Sequence, residues 1–425
     1  MNSPFKSAMA EATRLTRQGR LADAMAAIRG ALSRAKTPEP AGADEPAASP
    51  VQPGGPTLDL QAPPAAGGAS TVPEAAPPPA ATAPRPGGPV RAAQGLPEGM
   101  PEAMPEALRA LLDRVGPLPG LDGRRGPAPA PAPLPDGARF EERAFANAAG
   151  RRAYKLYVPS SYGARPMPLV VMLHGCTQSP DDFAAGTGMN ALAEELGFLV
   201  AYPAQTKAAN ASKCWNWFNV SDQQRDGGEP SLIAGITREI LSDFSVAAGR
   251  VYVAGLSAGG AAAAVMGAAY PDLFAAAGVH SGLACGAAHD AASAFAAMRQ
   301  GGAPSRGAGR TVPTIVFHGD RDTTVNPVNG EQVIAQSKAG SRLRATVESG
   351  RSPGGVSYTR TVQTDGTGHP VLEHWVLHGV GHAWSGGSPA GSYTDPRGPD
   401  ASREMMRFFL EQPTPAGARF QPPLD

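Results

Sequence analysis

The sequence predicts one large α/β domain whose mainly parallel sheet is covered by helices on both faces. From about residue 140 onward, β-branched runs alternate with helix-forming stretches, a pattern typical of parallel strands joined by helical crossovers. Runs such as LVVML at 169–173 are apolar throughout, as expected for strands buried on both faces. The predicted strands are 154–158, 169–173, 198–202, 251–254, 275–279, 314–317 and 374–377, and the predicted helices include 189–196, 229–244 and 258–269.

A helical hairpin is predicted over residues 1–36, where the segments 7–17 and 21–33 are joined at Gln18-Gly19-Arg20. Seven Lys and Arg against two acidic residues give it a charge of +5. A single hairpin buries little apolar surface and is marginally stable alone. We therefore expect it to dock on the main domain, to contact a partner or to lie on a surface.

A long linker separates this hairpin from the α/β domain. Residues 37–136 hold 25 of the 45 prolines and 13 glycines, and they contain no Phe, Trp, Tyr or Cys. Such a segment cannot bury enough apolar surface to offset its ordering entropy, so it is predicted to be a disordered, semi-stiff spacer. The apolar spacing near 104–116 predicts one short helix within it. The α/β domain then covers 137–412, followed by a tail over 413–425.

Charge and composition narrow the classes of partner. The chain has 37 Lys and Arg and 37 Asp and Glu, so the basic footprint of a nucleic-acid binder is missing. No run approaches the roughly 18 to 20 apolar residues that a transmembrane helix needs. No signal peptide is recognisable, so a cytoplasmic location is expected. The redox state of Cys176, Cys214 and Cys285 stays open, with one disulfide bridge among them allowed.

The segment VYVAGLSAGG at 251–260 places G-x-S-x-G between a predicted strand and a predicted helix. In this setting the serine occupies a strained turn, and the flanking Gly255 and Gly259 let that turn pack tightly. A chance match in a Gly- and Ala-rich chain is the alternative, but the strand and helix around the motif favour a nucleophile. We therefore predict that Ser257 is a catalytic nucleophile.

A base and a carboxylate follow in the sequence, each after a predicted strand. TIVF at 314–317 leads to Asp320 and Asp322, and HWVL at 374–377 leads to a Gly-rich loop with His382. The chain order Ser, Asp, His is that of the α/β-hydrolase fold rather than of the chymotrypsin or subtilisin types. The sequence therefore predicts an α/β-hydrolase fold that uses a serine nucleophile.

The loop after 169–173 begins His174-Gly175-Cys176, and a glycine at a strand end lets a backbone N–H point into the site. We predict that the N–H groups of Cys176 and Ala258 form the oxyanion hole. His174 and His318 each follow a strand directly and are interpreted as structural hydrogen-bonding residues.

Three tryptophans lie in predicted loops beside these motifs and are predicted to form an apolar substrate-binding wall: Trp215, Trp217 and Trp384. Packing and substrate contact are equally supported for Trp217. Neither metal-ligand spacing nor a dinucleotide fingerprint is present in the sequence, so no metal and no cofactor are expected.

Five motifs together resemble the polyhydroxybutyrate (PHB) depolymerase family of esterases, which also contains feruloyl-type esterases. They are the long run beginning LHGCTQ at 173, CWNWF at 214–218, GLSAGG at 255–260, HGDRDTTV at 318–325 and GVGHAWSGG at 379–387. The resemblance covers about 138–412. It implies Ser257 as nucleophile, His382 as base, and Asp322 rather than Asp320 as the carboxylate. Many members of this family are secreted, which contrasts with the cytoplasmic expectation.

Two hypotheses follow. The first is a serine esterase that acts through an acyl-enzyme on a poly(3-hydroxybutyrate)-type polyester or its oligomers, with a feruloyl or acetyl-xylan type carboxylesterase as the alternative. The second, of another class, is a surface- or partner-tethering protein that uses the basic hairpin of 1–36.

Overall fold

The computed structural model describes residues 133–163, 165–303, 312–338 and 341–413. The predicted hairpin, the short helix near 104–116, almost all of the linker and nearly all of the tail lie outside these residues and remain predictions. The described residues confirm the α/β-hydrolase class, with a large central sheet and helices on both faces.

The main sheet of the described residues has ten strands in the order β1-β2-β4-β3-β5-β6-β7-β10-β9-β8. Its middle, from β4 to β10, is parallel, and antiparallel strands extend both edges. The strands are β1 Arg139–Asn147, β2 Gly150–Val158, β3 Met167–Leu173, β4 Leu199–Pro203, β5 Val246–Leu256, β6 Ala276–His280, β7 Thr314–Gly319, β8 Arg344–Arg351, β9 Ser357–Thr364 and β10 Pro370–Leu377. A separate small pair is β11 Trp384–Ser385 with β12 Thr394–Asp395.

The sequence interpretation did not include the edge strands β1, β8 and β9. Almost every residue of β8 is exposed, so this strand lacks the apolar run that marks a buried one. Backbone pairing with β9, from Arg344 opposite Thr364 to Arg351 opposite Ser357, holds it in the sheet instead. Non-local hydrogen bonds of this kind leave no local apolar pattern in the sequence.

Seven α-helices in the described residues cover the sheet: α1 Pro180–Thr187, α2 Met189–Leu196, α3 Gly228–Asp243, α4 Ala258–Ala269, α5 Ala291–Gln300, α6 Val328–Lys338 and α7 Ala401–Glu411. Alternate residues of the central strands point to opposite faces. On β3, Val171 belongs to the core shared with α3, α4 and α5, whereas Met172 belongs to the core shared with α1, α2 and α7. Both residues are fully buried, which explains the continuous apolar run.

The parallel strands end at one edge of the sheet, and the loops after β3, β5, β7 and β10 carry the predicted site residues. In open parallel sheets this carboxyl edge is the usual place for a ligand. None of the helices in the described ranges is long and apolar enough to cross a membrane.

Candidate active site

Ser257 stands between β5 and α4 in a strained backbone conformation with a positive φ, at φ 57° and ψ −118°. Its N–H donates to the His280 carbonyl at 2.9 Å, which fixes the turn against β6. A Cβ placed on Gly259 would lie 2.0 Å from the Leu173 carbonyl oxygen, so only glycine fits there. Gly255 is equally constrained, since its Cβ would lie 2.3 Å from the Gly259 carbonyl carbon. The strained turn that G-x-S-x-G predicts is present.

His382 and Asp322 are joined by a hydrogen bond of 2.7 Å between Nδ1 and Oδ2. The other Asp322 oxygen accepts from the backbone N–H groups of Thr324 and Val325, each at 2.9 Å. Burial alone would raise the pKa of Asp322, but the nearby His382 and the hydrogen bonds from His318 and His382 hold that pKa well below its usual range. An ionised Asp322 keeps the proton of His382 on Nδ1 and leaves Nε2 as an acceptor.

Asp320 has a different partner. Its Oδ2 lies 3.0 Å from Nδ1 of His378, and its Oδ1 accepts from the Gly379 N–H at 2.7 Å. Of the two carboxylates that the sequence offers after β7, only Asp322 contacts His382.

Ser257 and His382 line the same cavity of about 110 Å³. Cys176 and Ala258, the predicted oxyanion residues, also line it. Neither of their N–H groups donates a hydrogen bond to another group in the part of the chain that the structure describes. Ala258 is the first residue of α4, where a helix leaves its N–H groups without an intrahelical acceptor. The amide N–H groups of Cys176 and Ala258 are thus available to an oxygen atom bound in this cavity.

The loop that carries Cys176 is fixed on both sides. The Gly175 N–H donates to Oε1 of Gln178 at 2.9 Å, and the Thr177 N–H donates to the Ser212 carbonyl at 2.7 Å. A disulfide joins Cys176 to Cys214, which resolves the pairing that the sequence left open; the third cysteine, Cys285, is buried elsewhere. The bridge ties the loop after β3 to the CWNWF segment.

His174 and His280 are buried and neutral. Nε2 of His174 accepts the Gln205 N–H at 3.1 Å, so its Nδ1–H donates to the Gly175 carbonyl at 2.7 Å. Burial lowers the pKa of His174 to about 4. Nε2 of His280 accepts the Ser385 N–H at 3.0 Å, and burial with neighbouring histidines lowers its pKa to about 3. His174 therefore has the structural role that its position in the sequence predicts.

His318 lies behind Asp322 and is 1% exposed. Its Nε2–H donates to the Val325 carbonyl at 2.9 Å, and the same nitrogen lies 3.5 Å from Oδ2 of Asp322. His318 therefore supports both the carboxylate and the turn that follows it, and it does not line the cavity.

Of the three predicted substrate-binding tryptophans, only Trp217 lines the cavity. The prediction is wrong for Trp215 and Trp384, which are each 1% exposed. The Trp215 indole N–H donates to the His174 carbonyl at 3.0 Å, and that of Trp384 donates to Oγ of Ser402 at 3.1 Å. A buried indole requires an acceptor for its N–H, and these acceptors turn both rings into the protein. Trp215 and Trp384 therefore pack in the protein interior next to the site and do not face the cavity.

Several residues of the cavity wall were missed from the sequence. Tyr393 lines the cavity in a left-handed conformation with φ 54°, and its hydroxyl lies 3.4 Å from Oγ1 of Thr177. Other apolar residues of the wall are Leu256, Val325, Phe218, Leu283, Ala291, Ala294, Phe295 and Met298. No helix was predicted over 291–300, and apolar spacing alone does not show which face of a helix lies beside Ser257.

A buried carboxylate holds the CWNWF segment in place. Glu229 accepts from the Asn216 N–H at 2.7 Å and from the Asn216 side-chain amide at 2.9 Å, and it also accepts from Gln205. Burial, followed by the charge of Asp222, raises the pKa of Glu229 to about 6. The polar residues of this loop therefore anchor Trp217 at the cavity.

Known esterases resemble the α/β domain of this chain in sequence. The family described as Esterase PHB depolymerase matches residues 152–351. The chain is 34% identical over 239 residues to poly(3-hydroxyalkanoate) depolymerase C of Paucimonas lemoignei, a match that covers 53% of this chain and 57% of that protein. It is 30% identical over 248 residues to feruloyl esterase B of Thermothelomyces thermophilus, covering 53% of this chain and 82% of the relative.

A solved structure, the acetyl xylan esterase from Aspergillus awamori, aligns with a TM-score of 0.50 and 22% sequence identity. The alignment covers 64% of this chain and 99% of the esterase. At this level of identity the likeness concerns the fold.

Proposed function

Because this chain belongs to the PHB depolymerase family of esterases, we propose that it hydrolyses carboxylic esters through a serine nucleophile. The observation that carries the proposal is the hydrogen bond between His382 and Asp322 beside a cavity that also contains Ser257. His382 takes the proton of Ser257, and the alkoxide attacks the ester carbonyl. The buried, ionised Asp322 orients the imidazole and stabilises its charged form.

The N–H groups of Cys176 and Ala258 stabilise the oxyanion of the tetrahedral intermediate in this proposal. Such donors are effective when they are fixed before the reaction, since no reorganisation is then needed. The disulfide at Cys176 and the helical position of Ala258 supply that rigidity. His382 then returns its proton to the leaving alcohol, and water releases the acid from the acyl-enzyme.

The substrate we propose first is a poly(3-hydroxybutyrate)-type polyester or its oligomers, by analogy with the depolymerase of Paucimonas lemoignei. A feruloyl or acetyl-xylan type ester is the second candidate, and the relative from Thermothelomyces thermophilus supports it. Relative turnover of hydroxybutyrate oligomers, methyl ferulate and acetylated xylan by the purified chain distinguishes the two.

Two variants test the mechanism with a short nitrophenyl ester. Ser257→Ala is expected to abolish turnover. Asp322→Asn should lower kcat by about 10⁴-fold, the loss typical of a triad carboxylate replaced by an amide. Asp320→Asn is the matched control, since Asp320 bonds His378 and Gly379 instead, and we expect kcat within about threefold of the unmodified chain. Full activity of Ser257→Ala, or equal losses in both Asp variants, contradicts the assignment.

A further inference from the structure

Helix α5 presents one apolar face to the cavity of Ser257. Its cavity-lining residues are Ala291, Ala294, Phe295 and Met298, which are spaced by three, four and seven positions and therefore share one side of a helix. The opposite side, with Ala292 and Ala296, is exposed to solvent. Phe295 and Met298 are large apolar side chains that remain partly exposed, because they border an open cavity.

The helix is held at its N-terminal end. Asp290 caps it by accepting the Ser293 N–H at 2.7 Å, and Oγ of Ser293 accepts the Asp290 N–H at 3.0 Å. The preceding Ala288 carbonyl accepts from the Gln223 side chain at 2.7 Å. Gln223 lies in the 3-10 helix Val220–Gln223, so this end of α5 is tied to the segment that follows Trp217 and Phe218.

The C-terminal end is tied to the segment that follows Asp322. The Asn326 N–H donates to the Met298 carbonyl at 2.7 Å, and its side chain donates to the Arg299 carbonyl at 3.0 Å. The buried side chain of Asn329 donates to the Ala297 carbonyl at 3.0 Å. These bonds fix the apolar face of α5 relative to the carboxylate that orients His382. The helix is a rigid wall of the site.

The cavity beside Ser257 has a volume of about 110 Å³ and opens to solvent, and this volume is less than the roughly 150 Å³ of an enclosed apolar cavity that holds a benzene molecule. Phe295 and Met298 occupy space that a larger ligand would need, whereas Ala291 and Ala294 leave room for a small one. We infer that the cavity face of α5 limits the size of the ester group that lies in the cavity beside Ser257, favouring a short aliphatic group, such as one hydroxybutyrate unit, over a long or aromatic one in that position. This inference rests on the proposed esterase function and adds its specificity-determining residues.

The experiment compares size profiles of turnover. One series is nitrophenyl esters of acetate, butyrate and octanoate, and a second is acetate esters of alcohols of increasing length. Phe295→Ala enlarges the cavity. In one of the two series, the ratio of kcat/KM for the longest ester to kcat/KM for the shortest ester should therefore rise by at least about tenfold. In the first series this is the octanoate-to-acetate ratio. Ala291→Leu narrows the cavity, so the butyrate-to-acetate or matching alcohol ratio should fall by a similar factor.

Ala296→Leu is the matched control, because it adds the same side chain to the exposed side of the same helix. Its ratios should stay within about twofold of the unmodified chain. Ratios are independent of the folded fraction, so a partly unfolded variant still reports on specificity.

Whichever series responds identifies the part of the ester that lies against α5. If both Phe295→Ala and Ala291→Leu keep the control's profile in both series, the inference is overturned while the esterase function stands. Absence of turnover in the unmodified chain overturns the proposed function instead.

Discussion

Acidification should weaken this domain strongly, because two buried histidines, His174 and His280, and the partly buried His374 stay neutral in the folded chain. Burial lowers the pKa of His174 and His374 to about 4, and burial with nearby histidines lowers the pKa of His280 to about 3. The unfolded chain binds protons at these residues near the ordinary pKa of about 6.5. Their contribution to stability is therefore complete above about pH 6.5 and is lost as the pH falls toward the folded-state values.

The size of the effect follows from these pKa values. At about pH 5.5 each histidine that is protonated only in the unfolded chain lowers the free energy of unfolding by about 1.4 kcal/mol, or about 4 kcal/mol for the three. Glu229 acts in the opposite direction, since burial raises its pKa to about 6 and protonation then stabilises the folded state. As the pH falls from about 8 to about 5.5, protonation of Glu229 raises the free energy of unfolding by about 0.8 kcal/mol. We expect a net loss of about 3 kcal/mol.

Equilibrium unfolding in guanidinium chloride, followed by tryptophan fluorescence at both pH values, measures this loss. His374→Gln replaces one of the three histidines with a neutral amide, so its pH-dependent loss should be smaller by about 1.4 kcal/mol. His289→Gln is the control, because the His289 side chain is 75% exposed. An unfolding free energy equal within about 1 kcal/mol at the two pH values, or an unchanged pH dependence in His374→Gln, refutes the reasoning.

Three further predictions concern the supports of the site. Gly259→Ala places a Cβ 2.0 Å from the Leu173 carbonyl oxygen, so we expect destabilisation above about 4 kcal/mol, and a melting temperature within about 2 °C of the unmodified chain contradicts this. Cys214→Ala opens a loop with a sequence separation of 38, and unfolding without reductant should show a loss of up to about 4 kcal/mol; a loss below about 0.5 kcal/mol argues against it. His318→Leu removes the donor behind Asp322 and should lower kcat/KM by about tenfold, whereas His318→Gln, which keeps an N–H donor, should recover most of it; equal activities in the two variants oppose a positioning role.

The elements that the sequence predicted correctly are those whose signal is local. A continuous apolar run such as 169–173 requires burial on both faces, and G-x-S-x-G requires a tight turn, so both patterns indicate backbone geometry within a few residues. The exposed strand β8 carried no such signal. The position of β8 in the sheet depends on backbone pairing with β9 across a turn, and the spacing of apolar residues does not indicate such pairing.

The directions of the side chains at the site could not be predicted from the sequence, because they depend on contacts with residues far away in the chain. Trp215 and Trp384 lie beside the site in sequence as Trp217 does, yet hydrogen bonds to the His174 carbonyl and to Ser402 turn both indoles inward. The position of α5 at the cavity could not be predicted from the sequence either, because the residues that hold this helix, such as Asn326, belong to a distant segment.

By itself, the sequence determined the fold class and showed that Ser257, Asp322 and His382 follow three predicted strands in that order. This was possible because a tight turn or a buried strand depends on residues that are close together in the sequence. Only the tertiary structure decided that His382 contacts Asp322 while Asp320 binds His378, that Cys176 pairs with Cys214, and which face of α5 meets the cavity. The physical reason is distance along the chain. These contacts join segments separated by tens of residues, and they form only when the sheet brings the strand ends together.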